Sequence, residues 1–175
     1  FFLTGFIIGL LATITGVTVD GSVSGADNVG GIAGLTEKKS TLKSSTAEGK
    51  VSGNNNVGGI LGLSDDSIVE VGISKNTVIG KGDNVGGIAG SAENNSIIKN
   101  SDAEGKVSGQ DNVGGIVGSS DKSKVEDSEA KNKVEGMDKV GGIAGSVANG
   151  SEIRGSSAKE ATIKGVSNTG KLTGK

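Results

Sequence analysis

Five near-identical phrases at a fixed interval dominate the sequence: NVGGIAG at 28–34, NVGGILG at 56–62, NVGGIAG at 84–90, NVGGIVG at 112–118 and KVGGIAG at 139–145. Their valines, Val29, Val57, Val85, Val113 and Val140, are 28, 28, 28 and 27 residues apart. Periods of about 20–50 residues belong to stacked or arrayed folds, in which each repeat buries its apolar face only against its neighbours. Other positions keep step. Six residues or so ahead of each valine stand Val23, Val51, Ile79, Val107 and Val134, and the isoleucine of the phrase recurs as Ile32, Ile60, Ile88, Ile116 and Ile143. A third apolar site holds Leu42, Ile68 with Val69, Ile97 with Ile98, Val125 and Ile153, preceded by Ser40, Ser67, Ser96, Ser123 and Ser151. A small residue returns at Ala47, Ala103, Ala130 and Ala158, with Ser74 near the second repeat's equivalent.

The texture inside a repeat is that of short strands. AEGKVSG at 47–53 alternates small or apolar residues with Glu, Lys and Ser, a period of two that places charge on one face. Glycine and Ser/Asn clusters interrupt every helical stretch. The unit is too short for a propeller blade and too glycine-rich for a helical pair. We therefore expect an all-β chain: a parallel β-solenoid of about 28 residues per coil, with five full coils and a partial coil at each end.

Glycine has two expected uses in so narrow a coil: turning sharply with positive φ, and letting opposite walls close on a core of one Val and one Ile per layer. Asn28, Asn56, Asn84 and Asn112 should bond to one another up the stack, with Lys139 interrupting them.

Composition removes much else. The 175 residues include 33 Gly but no Pro, Cys, His, Trp or Tyr. Glycine does not fall at every third position, so collagen is excluded. A chain with 33% apolar residues and a net charge of −2 is not of the disordered class. It has no disulfide or cysteine metal site, no histidine to shuttle protons, and no basic footprint for nucleic acid. We expect no cofactor.

Three segments are read. Residues 23–162 form the five-coil solenoid, and 163–175 a polar partial coil in which NTGKLTG (168–174) echoes the phrase. Residues 1–22 are strongly apolar, with no charge before Asp20. They read as a partial first coil, with a membrane or filament-core helix or a targeting remnant as alternatives. Ungapped at 28, Ile14 falls on Leu42, Val19 on Ala47, Asp20 on Glu48, Gly21 on Gly49 and Val23 on Val51; aligning Gly9 with Gly34 requires a shortened loop. Phe1, Phe2, Phe6, Ile7, Ile8, Leu10 and Leu11 concentrate bulk at this end, and so large an apolar surface calls for a cover. The expected cover is a second copy in a head-to-tail polymer, an adjacent domain or a membrane. The chain does not start with Met and reads as a processed or excised piece.

Candidate chemistry is sparse. Asp27, Asp83, Asp111 and Asp138, with Asn55 among them, form a row two or so residues ahead of the valines. Such a row could bind Ca²⁺, or serve only in Asx turns. Two sequons, at Asn94 and Asn149, are candidate glycosylation sites. VGGIAG has no following Lys-Ser/Thr, so no phosphate loop is read there. The polar segments LTEKKS, LSDDS, SAENNS, SSDKS and SVANGS line one face, where repeat proteins place binding loops. No catalytic residue is assigned; paired carboxylates for glycoside hydrolysis are the residual enzymatic reading.

The Gly-Gly-Ile-(Ala/Leu/Val)-Gly run at this spacing resembles the GLUG-motif repeats of bacterial and archaeal surface proteins. These occur in adhesin stalks and in the repeat region of some immunoglobulin A peptidase precursors. Ile stands where the family name implies Leu. The resemblance implies a β-solenoid on the cell exterior, outside any catalytic part. The expectation is a non-enzymatic extracellular structural or adhesive module with a surface carbohydrate or protein receptor as partner. The alternatives are a subunit polymerising end to end into a filament and, third, a carbohydrate-active solenoid.

Overall fold

The computed structural model describes residues 11–174 together with the backbone of the strand Ile7–Ile8. These residues form strands and turns with no helix. Every pairing is parallel and joins each coil to the next. Three sheets result, one of twelve strands and two of six. The chain is a parallel β-solenoid of about six turns, with coils roughly 28 residues apart in sequence.

Each sheet is one wall. The long wall carries Thr18–Ser24, Thr41–Gly53, Ile68–Gly80 and their successors. A second wall stacks Val29–Gly30 under Val57–Gly58, Val85–Gly86 and onward. The third begins at Ile7–Ile8 and Ala33–Thr36. In the first coil Ile14 pairs with Leu42, Val19 with Ala47, Asp20 with Glu48, Gly21 with Gly49 and Val23 with Val51. Residues 11–22 contain strands, not a helix. The loop shortening is wrong: Ile7 pairs with Leu35 and Ile8 with Thr36, an offset of 28.

Two buried clusters fill the interior. One is a valine zipper of Val23, Val29, Val51, Val57, Val78, Val85, Val107, Val113, Val134 and Val140. The other joins Ile32, Ile60, Ile88, Ile116 and Ile143 to the third apolar site and the small column. Each layer thus holds two valines in one cluster and a separate isoleucine group, not one Val and one Ile. The six-back site in the third coil is Val78, paired with Val51 and Val107, and not Ile79, which points outward. The loop LSDDS is one residue shorter than LTEKKS, while the corner after Gly80 is one longer. The two changes cancel and leave the period at 28.

The role assigned to the phrase glycines also needs correction. None of them has positive φ; Asn28, Asn56, Asn84 and Asn112 take it instead, at 52°, 51°, 59° and 51°. Asparagine tolerates the left-handed region because its short amide bonds locally. The second glycine of each phrase is required by close approach. A Cβ built on Gly31, Gly87, Gly115 or Gly142 would lie 3.0, 2.7, 2.8 or 2.6 Å from the Cβ of Ala47, Ala103, Ala130 or Ala158. On Gly59 it would collide with the Ser74 hydroxyl.

The core alternates. Up one column run Ala33, Leu61, Ala89, Val117 and Ala144; up the facing one run Leu42, Val69, Ile98, Val125 and Ile153. The larger residues of one column meet smaller ones in the other, with Val117 and Val125 equal in the fourth layer, which keeps layer volume nearly even, as dense interiors demand. A third position alternates Gly49, Asn76, Gly105 and Asn132. The buried Asn76 amide donates to the carbonyls of Gly59 (2.8 Å) and Ala47 (3.1 Å), and that of Asn132 to Gly115 (2.7 Å). The packing unit is therefore a pair of coils.

Candidate functional site

The asparagines at the turn before each phrase form a continuous column. Asn56 Nδ2 donates to Asn28 Oδ1 (2.8 Å), Asn84 to Asn56 (2.9 Å) and Asn112 to Asn84 (2.9 Å). Lys139 follows with φ 48°, and Asn112 Oδ1 is left buried without a partner.

The acidic row lies just outside this column, and its oxygens bond to backbone and side chains of the adjoining coil at Asp27, Asn55 and Asp138. Asp27 Oδ1 accepts from the Asn55 amide N–H and from its side chain, both at 3.0 Å, and Asn55 Oδ1 accepts from Asp83 N–H (2.9 Å). Asp111 pairs with Asp138 across coils. Asp138 Oδ1 accepts from the Ser167 hydroxyl and the Asn168 amide, both at 2.6 Å, and these bonds hold its carboxyl below the usual aspartate range. Among the described residues no three acidic side chains converge as a cation site.

The long wall's outer face carries charge in columns. Lys43, Glu70, Lys99, Glu126 and Arg154 stack in register. Glu70 is bridged by Lys43 (3.0 Å) and Lys99 (3.1 Å), which lower its pKa. Glu135 takes Lys106 and Lys133, each at 2.8 Å, and is pulled down to about 2. Lys131, bonded to Glu129 at 2.8 Å, is raised. The third coil breaks this face, presenting Ile68, Ile73 and Ile79 outward and Val71 at 41% exposure.

The polar loops line one edge, where both sequon asparagines are exposed. Asn94 Nδ2 donates to Asp65 Oδ1 and Asn149 Nδ2 to Asp121 Oδ1, each at 2.8 Å and each one coil below. Of the candidate assembly residues, Leu11 is 74% exposed with φ 51°. Ile7 and Ile8 pair with the next coil; Phe1, Phe2, Phe6 and Leu10 lie outside the described residues. No described helix is long and apolar enough to cross a membrane.

Sequence reading found the serines that open each long rung, whose hydroxyls accept from the coil below, as Ser96 does from Ser67 N–H (3.3 Å). It missed a second serine column at Ser45, Ser101, Ser128 and Ser156. Ser101 accepts from Gly72 N–H (3.1 Å), Ser128 from Ser101 and Ser156 from Ser128, both at 3.2 Å. Its signal was the serine two residues ahead of each small residue, hidden where Gly72 replaces it.

Residues 82–108, one coil, match the family model described as the GLUG motif, so the likeness drawn from the repeats is shown over that coil. No curated protein sequence matches the chain. Among solved structures the fold is similar to a crystal structure from Bacteroides ovatus described as "a putative immunoglobulin A1 protease", with a TM-score of 0.73 and 23% identity. The match covers 89% of this chain but only 57% of that one, a likeness of fold.

Proposed function

We propose that this chain is a non-enzymatic extracellular β-solenoid module, a rigid spacer or adhesive stalk whose outer faces meet a surface carbohydrate or protein. The observation that supports this most is the continuity of the three parallel walls through six turns. Polar groups are used coil to coil, in the asparagine and serine columns and the ion-paired long wall. Such a stack transmits length and presents a repeated surface. With no His or Cys in the sequence, the Ser–His and Cys–His pairs of the common proteases cannot form within it.

The test has two arms. The chain is incubated with immunoglobulin A1 and with a polysaccharide panel, with and without Ca²⁺; intact substrates are expected, and cleavage products overturn the reading. In the second arm the chain is shown on a bacterial surface with two coils removed. Each coil rises about 4.8 Å; for a spacer, adhesion should fall with reach and return when an unrelated solenoid of equal length is inserted. Failure of that rescue shifts the role to the removed side chains.

A second reading, end-to-end polymerisation into an extracellular filament, is favoured by charge. Residues 11–36 carry Asp20 and Asp27 without a cation, whereas 150–174 carry Arg154, Lys159, Lys164 and Lys171 against Glu152 and Glu160. Fibres of constant subunit rise in electron micrographs of the purified chain would support it; a salt-independent monodisperse monomer would remove it.

A further inference from the structure

We propose that Asn149 is a self-modification site. The Gly150 backbone nitrogen attacks Asn149 Cγ, the new N–C bond closes a succinimide, and the Cγ–Nδ2 bond breaks with release of ammonia. Water then opens the ring to aspartate or isoaspartate. No oxidant, metal or enzyme is needed; the reaction needs an approachable amide and a free backbone nitrogen held close to it.

The hydrogen bonds decide which asparagines qualify. After Asn54, the Asn55 N–H is held by Asp27 Oδ1; after Asn55, the Asn56 N–H is held by the Asp83 carbonyl. After Asn94, the Asn95 N–H is held by the Lys122 carbonyl, and after Asn95 the Ser96 N–H by the Glu93 carbonyl. After Asn100, the Ser101 N–H is held by the Ser128 hydroxyl. The ladder asparagines precede buried, β-branched valines, and Val29 and Val57 spend their N–H groups on Asn56 and Asn84 carbonyls. Gly150 N–H has no acceptor among the described residues, and the other exposed turn asparagine, Asn168, precedes the β-branched Thr169, whose side chain hinders attack by its nitrogen.

Sterics agree. Gly150 has no Cβ, and one built there would meet nothing within 4 Å. Asn149 and Gly150 are both exposed in a turn, with φ of 51° and 81°. The product would also change the loop: a carboxylate at 149 faces Asp121 Oδ1, where the amide now donates at 2.8 Å. The sequon is lost with it.

The full chain is held at mildly alkaline pH and body temperature and followed by peptide mapping, with isoaspartate methyltransferase labelling as a second readout. Conversion at Asn149 is expected to outpace that at Asn54, Asn55, Asn94, Asn95 and Asn100 by roughly tenfold or more, the effect of about 1.4 kcal/mol in barrier. G150A should slow it by a similar factor; because any side chain is strained at this φ, circular dichroism checks that the coil persists in the variant. Equal rates at the other asparagines, or a rate indifferent to residue 150 in folded variants, overturns the proposal.

Discussion

Gly87 and Ala103 face one another across the coil so closely that a Cβ on the glycine would stand 2.7 Å from that of the alanine. The same hypothetical atom would collide with the Gly115 carbonyl of the next coil, so retreat of Ala103 alone does not make room. G87A should therefore destabilise the chain by about 1–3 kcal/mol, the usual cost of overpacking. Ala103→Gly in the same chain should restore little of it. Chemical denaturation checks this; an unchanged midpoint for G87A would refute the account.

Val71 sits at φ 56°, a genuine outlier for a β-branched residue. Ser44, Asn100 and Asp127 occupy the matching turn at 47°, 50° and 45°. V71N should gain on the order of 1 kcal/mol by relieving this strain, raising the denaturation midpoint. A lower midpoint would mean that Val71 is held by contacts absent from this account.

Lys139 ends the asparagine column and leaves Asn112 Oδ1 buried and unpaired. K139N supplies the missing donor and should stabilise by about 1 kcal/mol, a typical net hydrogen bond. N84A breaks the column in its middle and puts alanine at φ 59°; the loss should be larger, about 2–3 kcal/mol. The two are compared by thermal unfolding, and destabilisation by K139N sinks the ladder argument.

Glu135 has its pKa depressed from 4.5 to about 2 by Lys106 and Lys133. A depressed carboxyl stabilises the folded state above its ordinary pKa, and that contribution is lost as pH falls from about 4.5 towards 2. Because the group is partly exposed, salt screens the effect. K106A should return the Glu135 carboxyl towards 4.5 in a carbon-detected NMR titration; no movement means the bridge does not persist in solution.

Pairwise alternation sets how coils can be removed. Deleting 57–84 puts Ala33 on Ala89, Leu42 on Ile98 and Gly49 on Gly105, matching small with small and large with large. Deleting 57–112 sets Ala33 beside Val117, Leu42 beside Val125 and Gly49 beside Asn132, as in the intact stack. The larger deletion should melt higher than the smaller one despite losing more core. The reverse order would show the alternation to be incidental.

The period, the valine and isoleucine columns and the offset of the first coil were legible because stacking makes equivalent residues neighbours, and identity up a column is what packing and ladders reward. What escaped notice was local. Val78 was mistaken for Ile79 because a shortened loop and a lengthened corner cancel within one period. The serine column vanished at Gly72, and φ was assigned to glycine where asparagine bears it. Burial could not be read from glycine counts, since the need for glycine arises from the opposite wall.

The amide column has an arrow. Every rung donates Nδ2 downward, so among the described residues Asn28 keeps an uncommitted donor at the bottom and Asn112 an uncommitted acceptor at the top. Aligned amides polarise one another in the same sense. Growth by one more asparagine rung is therefore a different reaction at each extremity: above, the newcomer must bring hydrogen, and below it must bring oxygen.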